Sequence, residues 1–304
     1  MTDPERAKPS LRVHSILYEN DLARVSQTVG HLNRAADLAI AAGAFSSVEL
    51  VYGDCSPEPV LGAAALEALR QPSPALWAIS HRFFDTNLGS AGGHNRLLQD
   101  LAADCVLIMN PDVMLAPDAL IELARPLGLH RTGMVEARQL PVEHPKDYDV
   151  RTGETGWATT ACALIPRSVA AELNGFDSNS FFLYCDDVDF SWRARLAGYR
   201  VLFQPSAVVF HDKRLGTDAR WAPSNAEKYY SGEAALMLAH KFSRPDIVSN
   251  LLATFSSSGV DHLERAARTF RERREAGTLA EPIDPNHKVG LFVAGFYTAH
   301  RFGL

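Results

Sequence analysis

The sequence predicts an α/β fold: a mainly parallel sheet flanked by helices and followed by a C-terminal helical extension. Three observations predict it. Short apolar runs alternate with stretches of helical periodicity through the first part of the chain. Polar residues (Asn20, Asp54, Asn87 and Asp112) sit just after successive runs, where open α/β sheets bind ligands. The 304 residues, 46% hydrophobic and 22% charged, suffice for one large domain or two smaller ones.

Val13 to Tyr18 is a β-prone run, stopped by Glu19-Asn20-Asp21. From Leu22 to Ala42 apolar residues recur at helical spacing, and Gly43 closes that helix. Val48 to Tyr52 is a second strand, Gly62 to Arg70 a short helix, and Leu76 to His81 a third, weaker strand. The Gly-rich stretch Asn87 to Asn95 reads as a loop leading into a helix over Arg96 to Leu101. Cys105 to Met109 is an all-apolar strand that stops at Asn110-Pro111-Asp112, and Asp118 to Leu127 is the next helix. Beyond Gly133 the alternation loosens, and Gln139 to Gly156 reads as one long polar loop. Trp157 to Ile165 then predicts a strand, Ser168 to Leu173 a helix and Val188 to Ala197 another. Arg200 to Phe203 and Ala207 to Phe210 are two short strands parted by Pro205. From Trp221 onward the chain is mostly helical, with breaks at Pro245, Gly259, Pro282 and Pro285.

A formal net charge of −6 argues against a general nucleic-acid binder, whose affinity rests on neutralising phosphates. The four cysteines, Cys55, Cys105, Cys162 and Cys185, are widely spaced and read as buried thiols in a reducing compartment. Met1 to Ser10 lacks the apolar core of a signal peptide, and Val289 to Ala299 is too short for a membrane span. These features predict a cytoplasmic protein.

The chemistry concentrates in Phe181 to Arg193, where Asp186, Asp187 and Asp189 fall within four positions between aromatic and aliphatic neighbours. Carboxylates crowded at the edge of a core raise one another's pKa unless cations or donors compensate. That suits a general base or a metal-linked site; the alternative is a helix N-terminus capped by its acids. Asp112 ends a buried strand, as a metal ligand or as an ordinary turn residue. The Gly-rich stretch lacks the signature of a P-loop or a dinucleotide fingerprint, leaving close backbone approach to a nucleotide or a tight turn. His211 ends a strand and is either structural or a metal or phosphate contact.

Together these residues resemble a family 2 glycosyltransferase of the GT-A fold, on the rhamnosyltransferase-like side. Asn87-Leu88-Gly89-x-Ala91-Gly92-Gly93-x-Asn95 resembles that family's Asn-Leu-Gly-Phe-Ala-Gly-Gly-Asn-Asn segment. Asn110-Pro111-Asp112 resembles its variant Asp-x-Asp motif. Gly175-Phe176-Asp177, with Phe181-Phe182-x-Tyr184-x-Asp186-Asp187-x-Asp189 and Arg193, resembles its acidic block, and Pro205 and His211 match its later Pro and His. The sequence departs from the family at Gly53-Asp54, at Thr160-Ala161 and at Asp186, which stands in place of Glu.

The resemblance implies a GT-A domain over residues 1–220, with a nucleotide-sugar half at about 11–132 and an acceptor half at about 133–220, then a helical extension over 221–304. It implies an inverting hexosyl transfer from a nucleotide-diphosphate sugar (dTDP- or UDP-linked, with rhamnose the first candidate) to a saccharide or lipid-linked glycan in surface polysaccharide synthesis. Asp187 would be the base. Asp112 and His211 would hold a divalent metal, Mg²⁺ or Mn²⁺. Tyr18, Asn20, Asp54, Asn87, Gly89, Gly92, Asn95, Asn110, Trp157, Asp186 and Asp189 would contact substrate. Lys228-Tyr229-Tyr230 looks like the Tyr-rich helix of relatives. Val289 to Phe302 reads as an amphipathic helix, for which a peripheral membrane contact at the inner face, simple packing and a homodimer contact are the open readings. A non-catalytic nucleotide-sugar or glycan binding module is the alternative function. A nucleotidyltransferase would want a Gly-rich, basic loop after the first strand, which Tyr18-Glu19-Asn20 does not supply.

Overall fold

A computed structural model describes residues 8–143, 147–212, 223–293 and 295–298 of the chain. Eight strands form one sheet in the order β3-β2-β1-β4-β7-β6-β8-β5. Its first half is parallel: β1 (Ser10–Leu17) lies between β2 (Ser47–Asp54) and β4 (Cys105–Met109), with β3 (Ala78–Phe83) outside β2. The strand β7 (Cys162–Pro166) runs antiparallel to β4 and to β6 (Thr132–Leu140), β6 pairs parallel with β8 (Arg200–His211), and β5 (Val113–Leu115) runs antiparallel at the far edge.

The sheet must curl. In strand order β5 lies four places from β4, roughly 19 Å away in a flat sheet, yet only residues 110–112 connect them. Four Cα steps reach at most about 14 Å. Curling brings the end of β4 round to the end of β8, and that closure shapes the site described below.

Alternation within β4 sorts its side chains to the two faces. Cys105, Leu107 and Met109 join the core under α1 (Leu22–Ala41), α2 (Ala63–Arg70) and α4 (Ala119–Ala124). Val106 and Ile108 join a second core with α3 (Gly89–Leu98), α5 (Arg167–Glu172) and α6 (Asp186–Leu196). The helix α1 begins where Asp21 accepts a hydrogen bond from the Arg24 amide (3.1 Å), and it buries Val25, Val29, Leu32, Ala36 and Ala39.

A third core joins the acidic helix to the C-terminal helices α7 (Asn225–Lys241), α8 (Pro245–Ser256) and α9 (Asp261–Glu275). Phe181, Val188 and Trp192 pack there with Leu236, Phe242, Leu251 and Phe270. Pro245 opens α8, and Gly259 turns the chain at φ +66° before α9, so those two predicted breaks fall at helix boundaries.

Several elements differ from the sequence reading. The Gly-rich stretch is itself helix α3, because Gly93 lets the helix settle against Ile16 of β1, where a Cβ would come within 3.0 Å. Where the alternation loosens, Thr132 to Leu140 form β6, whose Glu136 is fully buried, and the strand takes Gln139 and Leu140 from the start of the predicted polar loop. The predicted strand over Trp157 to Ile165 begins only at Cys162. Pro205 does not divide β8: the register skips from Ala137↔Gln204 to Arg138↔Val208, and the bulge absorbs the residue that cannot donate. Of the tail predicted as an amphipathic helix, Ala294 and 299–302 lie outside the described residues, as do Trp221 and Lys213. The described part, 289–293 and 295–298, is irregular, with a bridge between Val293 and Phe296. Its aromatic side chains pack inward: Phe292 meets Trp192 at 5.2 Å, and Tyr297 meets Trp157 at 5.0 Å.

Candidate active site

The curl places Asp112 beside His211. Pairing of Val113 with His211 and a hydrogen bond from the Asp212 amide to the Asp112 carbonyl (3.0 Å) fix the two backbones. His211 Nε2 then lies 3.3 Å from Asp112 Oδ1. On the other side of the ring, Nδ1 is 2.7 Å from Gln139 Oε1. In the neutral tautomer that donates from Nδ1 to this oxygen, Nε2 turns its lone pair toward the carboxylate. Two electron-pair donors turned toward one another make a fitting pair of ligands for a cation. Among the described residues no group of three or more His, Cys, Asp or Glu side chains could hold a metal ion. A hard divalent ion held by one or two protein groups takes its remaining ligands from water and substrate phosphate. The two residues fit that role.

The N-terminus of α3 meets the acidic stretch. Gly89 adopts φ +66°, and a Cβ there would sit 2.3 Å from the Phe182 carbonyl oxygen. The Ser90 amide donates to that same oxygen at 3.0 Å, while Asn87 Oδ1 accepts from the Gly89 amide at 3.1 Å. Glycine is required here both by backbone angle and by space. One turn on, Gly92 lies over Leu88. Asn95 binds Phe176 in both directions, Oδ1 accepting from its amide (2.8 Å) and Nδ2 donating to its carbonyl (2.7 Å). Asn95 thus anchors the Gly175-Phe176-Asp177 turn to α3.

Asp186 and Asp187 open α6, where the positive end of the helix dipole favours negative charge. Burial nevertheless prevails at Asp186. Its carboxyl is pushed up to about 7 by desolvation and by the neighbouring charge of Asp187, and a hydrogen bond with Ser90 opposes the shift only in part. Asp187 is half-buried, and its Oδ1 accepts from the Val188 amide at 2.8 Å. Asp189, wholly buried, is held by Arg193 Nε (2.7 Å) and Lys241 Nζ (2.6 Å). These cations neutralise it, which leaves Asp186 as the acid that answers to the charge of Asp187. A substrate contact by Asp189 would require breaking both pairs.

Of the remaining predicted residues, Tyr18, Asn20, Asp54 and Asn110 fall at the carboxyl ends of β1, β2 and β4. Tyr18 is 48% exposed, and its amide donates to Asn20 Oδ1 at 2.8 Å. Asp54, fully buried at the end of β2, accepts from the Ser56 and Val60 amides (3.0 and 2.7 Å) and lies 2.8 Å from His81 Nε2. Burial pushes its pKa up, but donors from Ser56, His81 and Val60 outweigh burial and hold the carboxyl below its ordinary value. The Asn110 amide donates to Ala161 at 2.9 Å, and Ser191 Oγ of α6 accepts from the Ala158 amide at 3.0 Å. These bonds tie the end of β4 and the helix α6 to the same segment, Ala158 to Ala161. Trp157 is buried in the core shared with the C-terminal helices.

Sequence reasoning missed Gln139, His81, Ser90 and Lys241. Gln139 sat inside the presumed loop. The others gave no local signal, since each matters through a partner distant in the chain.

No family model matches the chain. Its fold matches solved structures over most of its length. The mannosyltransferase PcManGT from Pyrobaculum calidifontis, in complex with GDP-Man and Mn²⁺, aligns with TM-score 0.56 at 16% identity, over 91% of this chain and 83% of that one. GalNAc-T7 with UDP, GalNAc and Mn²⁺ aligns with TM-score 0.64 at 12% identity, over 92% of this chain and 56% of that one. The chain has the GT-A glycosyltransferase fold. In sequence, it is 28% identical over 178 residues to an N-acetylglucosaminyl-diphospho-decaprenol L-rhamnosyltransferase of Mycobacterium tuberculosis, an alignment covering 43% of this chain and 58% of that relative. The likeness to a rhamnosyltransferase agrees with the resemblance carried by the motifs. In GT-A terms, the carboxyl ends of β1, β2 and β4 form the edge where Tyr18, Asp54 and Asp112 are found. No helix among the described residues is long and apolar enough to cross a membrane.

Proposed function

We propose that this chain is an inverting, metal-dependent glycosyltransferase that moves a hexosyl group, with rhamnose the leading candidate, from a nucleotide-diphosphate sugar to a lipid-linked saccharide. The observation that carries the reading is the pairing of Asp112 with His211 at the carboxyl edge of the sheet. Two ligands distant in sequence face each other where a diphosphate would complete a cation's coordination. A bound divalent ion would offset the negative charge growing on the departing diphosphate.

The chain's own residues supply the rest. Asp187 takes the proton from the acceptor hydroxyl as that oxygen attacks the anomeric carbon. Asp186, wedged between Asp187 and Ser90, shapes the electrostatics of that base. Gly89 and Ser90 seat the acidic turn against the donor side. Tyr18, Asn20 and Asp54 flank the base and ribose end of the nucleotide, with Asp54 orienting its loop through Ser56 and Val60. The lipid-linked acceptor is supported by the name of the mycobacterial relative, and Mn²⁺ by the solved neighbours.

The test is transfer from dTDP-rhamnose, UDP-linked and GDP-linked sugars to a polyprenyl-diphosphate N-acetylglucosamine acceptor, with and without Mn²⁺. Product that needs Mn²⁺ and vanishes in Asp187→Asn supports the proposal. A donor that binds and is never consumed under any of these conditions would favour the binding-module reading instead.

A further inference from the structure

The turn that presents the acids is an unusual piece of backbone. Tyr184 and Cys185, neither of them glycine, adopt consecutive positive φ values of +66° and +58° immediately before Asp186. Side-chain-bearing residues hold such angles only when their surroundings over-determine them, and they cluster at functional sites. Two anchors grip this turn. On the donor side, the Phe182 carbonyl rests on Gly89 and accepts from Ser90. On the other side stands α7: Tyr184 Oη donates to Glu227 Oε1 at 3.0 Å, and the Phe182 ring stacks on Tyr230 at 4.7 Å. Glu227 is itself fixed, because its Oε2 accepts from the Ser224 amide (2.6 Å) in a capping box that starts the helix.

We infer that Glu227 is a positioning residue for Asp187, holding the left-handed Tyr184–Cys185 turn through the Tyr184 hydroxyl and so aiming the base at the acceptor. This rests on the proposed role of Asp187 and assigns the helical extension a part in catalysis. One carboxylate joins the start of α7 to the turn, so the orientation of the base depends on an element outside the sheet. The acceptor-side geometry is what the contact controls; the Asp112–His211 pair does not touch it.

Tyr184→Phe removes the hydroxyl and keeps the ring. The expected result is a fall in kcat of about ten- to a hundredfold, the scale on which small misplacements act, with donor KM, the thermal shift produced by nucleoside diphosphate plus Mn²⁺, and Tm all unchanged. Glu227→Gln, which can still satisfy both contacts, should retain most of the kcat, whereas Glu227→Leu should lose it. Unchanged kcat in Tyr184→Phe would overturn the inference. A parallel fall in kcat, Tm and donor binding would also overturn it, by reducing the contact to general stability. Asp187→Asn run in the same assay separates the two levels: if that variant stays active, the base assignment itself fails, whatever Tyr184→Phe does.

Discussion

Lys241 Nζ lies 2.6 Å from Asp189 Oδ1, a buried ion pair between the last turn of α7 and the first turn of α6. It explains how three acids can share four positions. Asp189 is neutralised by Lys241 and Arg193, Asp186 is raised toward neutrality by burial, and Asp187 is left as the half-buried acid at the rim. Lys241 also reaches Asp177 at 2.7 Å, so one ammonium ties the Gly175-Phe176-Asp177 turn to the acidic helix.

Removing that ammonium leaves two carboxylates under-compensated in a buried place. Lys241→Met should destabilise the fold by about 3 kcal/mol, the lower end of what breaking a buried pair costs, because Arg193 still serves Asp189. Urea unfolding measures it. A loss below about 1 kcal/mol would mean that water already screens the pair.

The proposed metal site would have two protein ligands, Asp112 and His211, which predicts that the ion and the nucleotide bind together. Mn²⁺ alone should shift Tm little, while Mn²⁺ with a nucleoside diphosphate should shift it clearly by mass action. Asp112→Asn and His211→Ala should each abolish the Mn²⁺-dependent part of that shift. A full shift with Mn²⁺ alone would point to a preformed ion site elsewhere.

Asp187→Asn should lower kcat by about 10²- to 10⁴-fold, the range attributed to a positioned general base, while leaving the donor-induced thermal shift in place. Loss of donor binding along with turnover would reassign Asp187 to the donor side.

The raised carboxyl of Asp186 predicts a pH effect on stability. Its folded value, about 7, lies above the ordinary carboxylate value of 3.8, so the folded state holds this proton more tightly than the unfolded one. The contribution is fully present below about pH 4 and is lost as pH rises through about 7. Asp186→Asn should therefore flatten the fall in Tm between those limits and be relatively more stable at pH 8 than at pH 5. Parallel Tm–pH curves for the two proteins would count against it.

Gly89→Ala tests the joint between α3 and the acidic turn. With φ at +66° and Phe182 O where the new methyl would go, the substitution should cost more than about 1 kcal/mol and depress turnover. The same change at Gly62, which meets nothing within 4 Å and has an ordinary N-cap φ of −73°, should be close to neutral.

Much of this architecture was legible where side chains carry their signal locally. Val25, Val29, Leu32 and Ala36 announced α1, and Cys105 to Met109 announced β4, because a one-sided or unbroken apolar pattern follows directly from how an element is buried. Asn20, Asp54, Asn87 and Asp112 fall at or just after the carboxyl ends of β1 to β4, where their turn chemistry puts them. What escaped was held by distant partners. The strand β6 carries Glu136, Arg138 and Gln139, which break an apolar run, and it is specified by its neighbours β7 and β8. Helix α3 owes its existence to Gly93 fitting against Ile16, so its glycines read as loop. The Asp112–His211 pairing was reached only through the family resemblance, because it depends on the curl of the sheet, which no local pattern records.

The core in which Trp192 meets Phe242 at 4.7 Å and Phe292 at 5.2 Å bears on how far this protein can be shortened. A recombinant fragment that stops before α7 would keep every strand and every proposed ligand, yet turn the indole of Trp192 and the ring of Phe181 out into solvent and strip Asp189 of one of its two cations. Minimising the molecule to its sheet would therefore yield an aggregation-prone remnant with a misaimed acid.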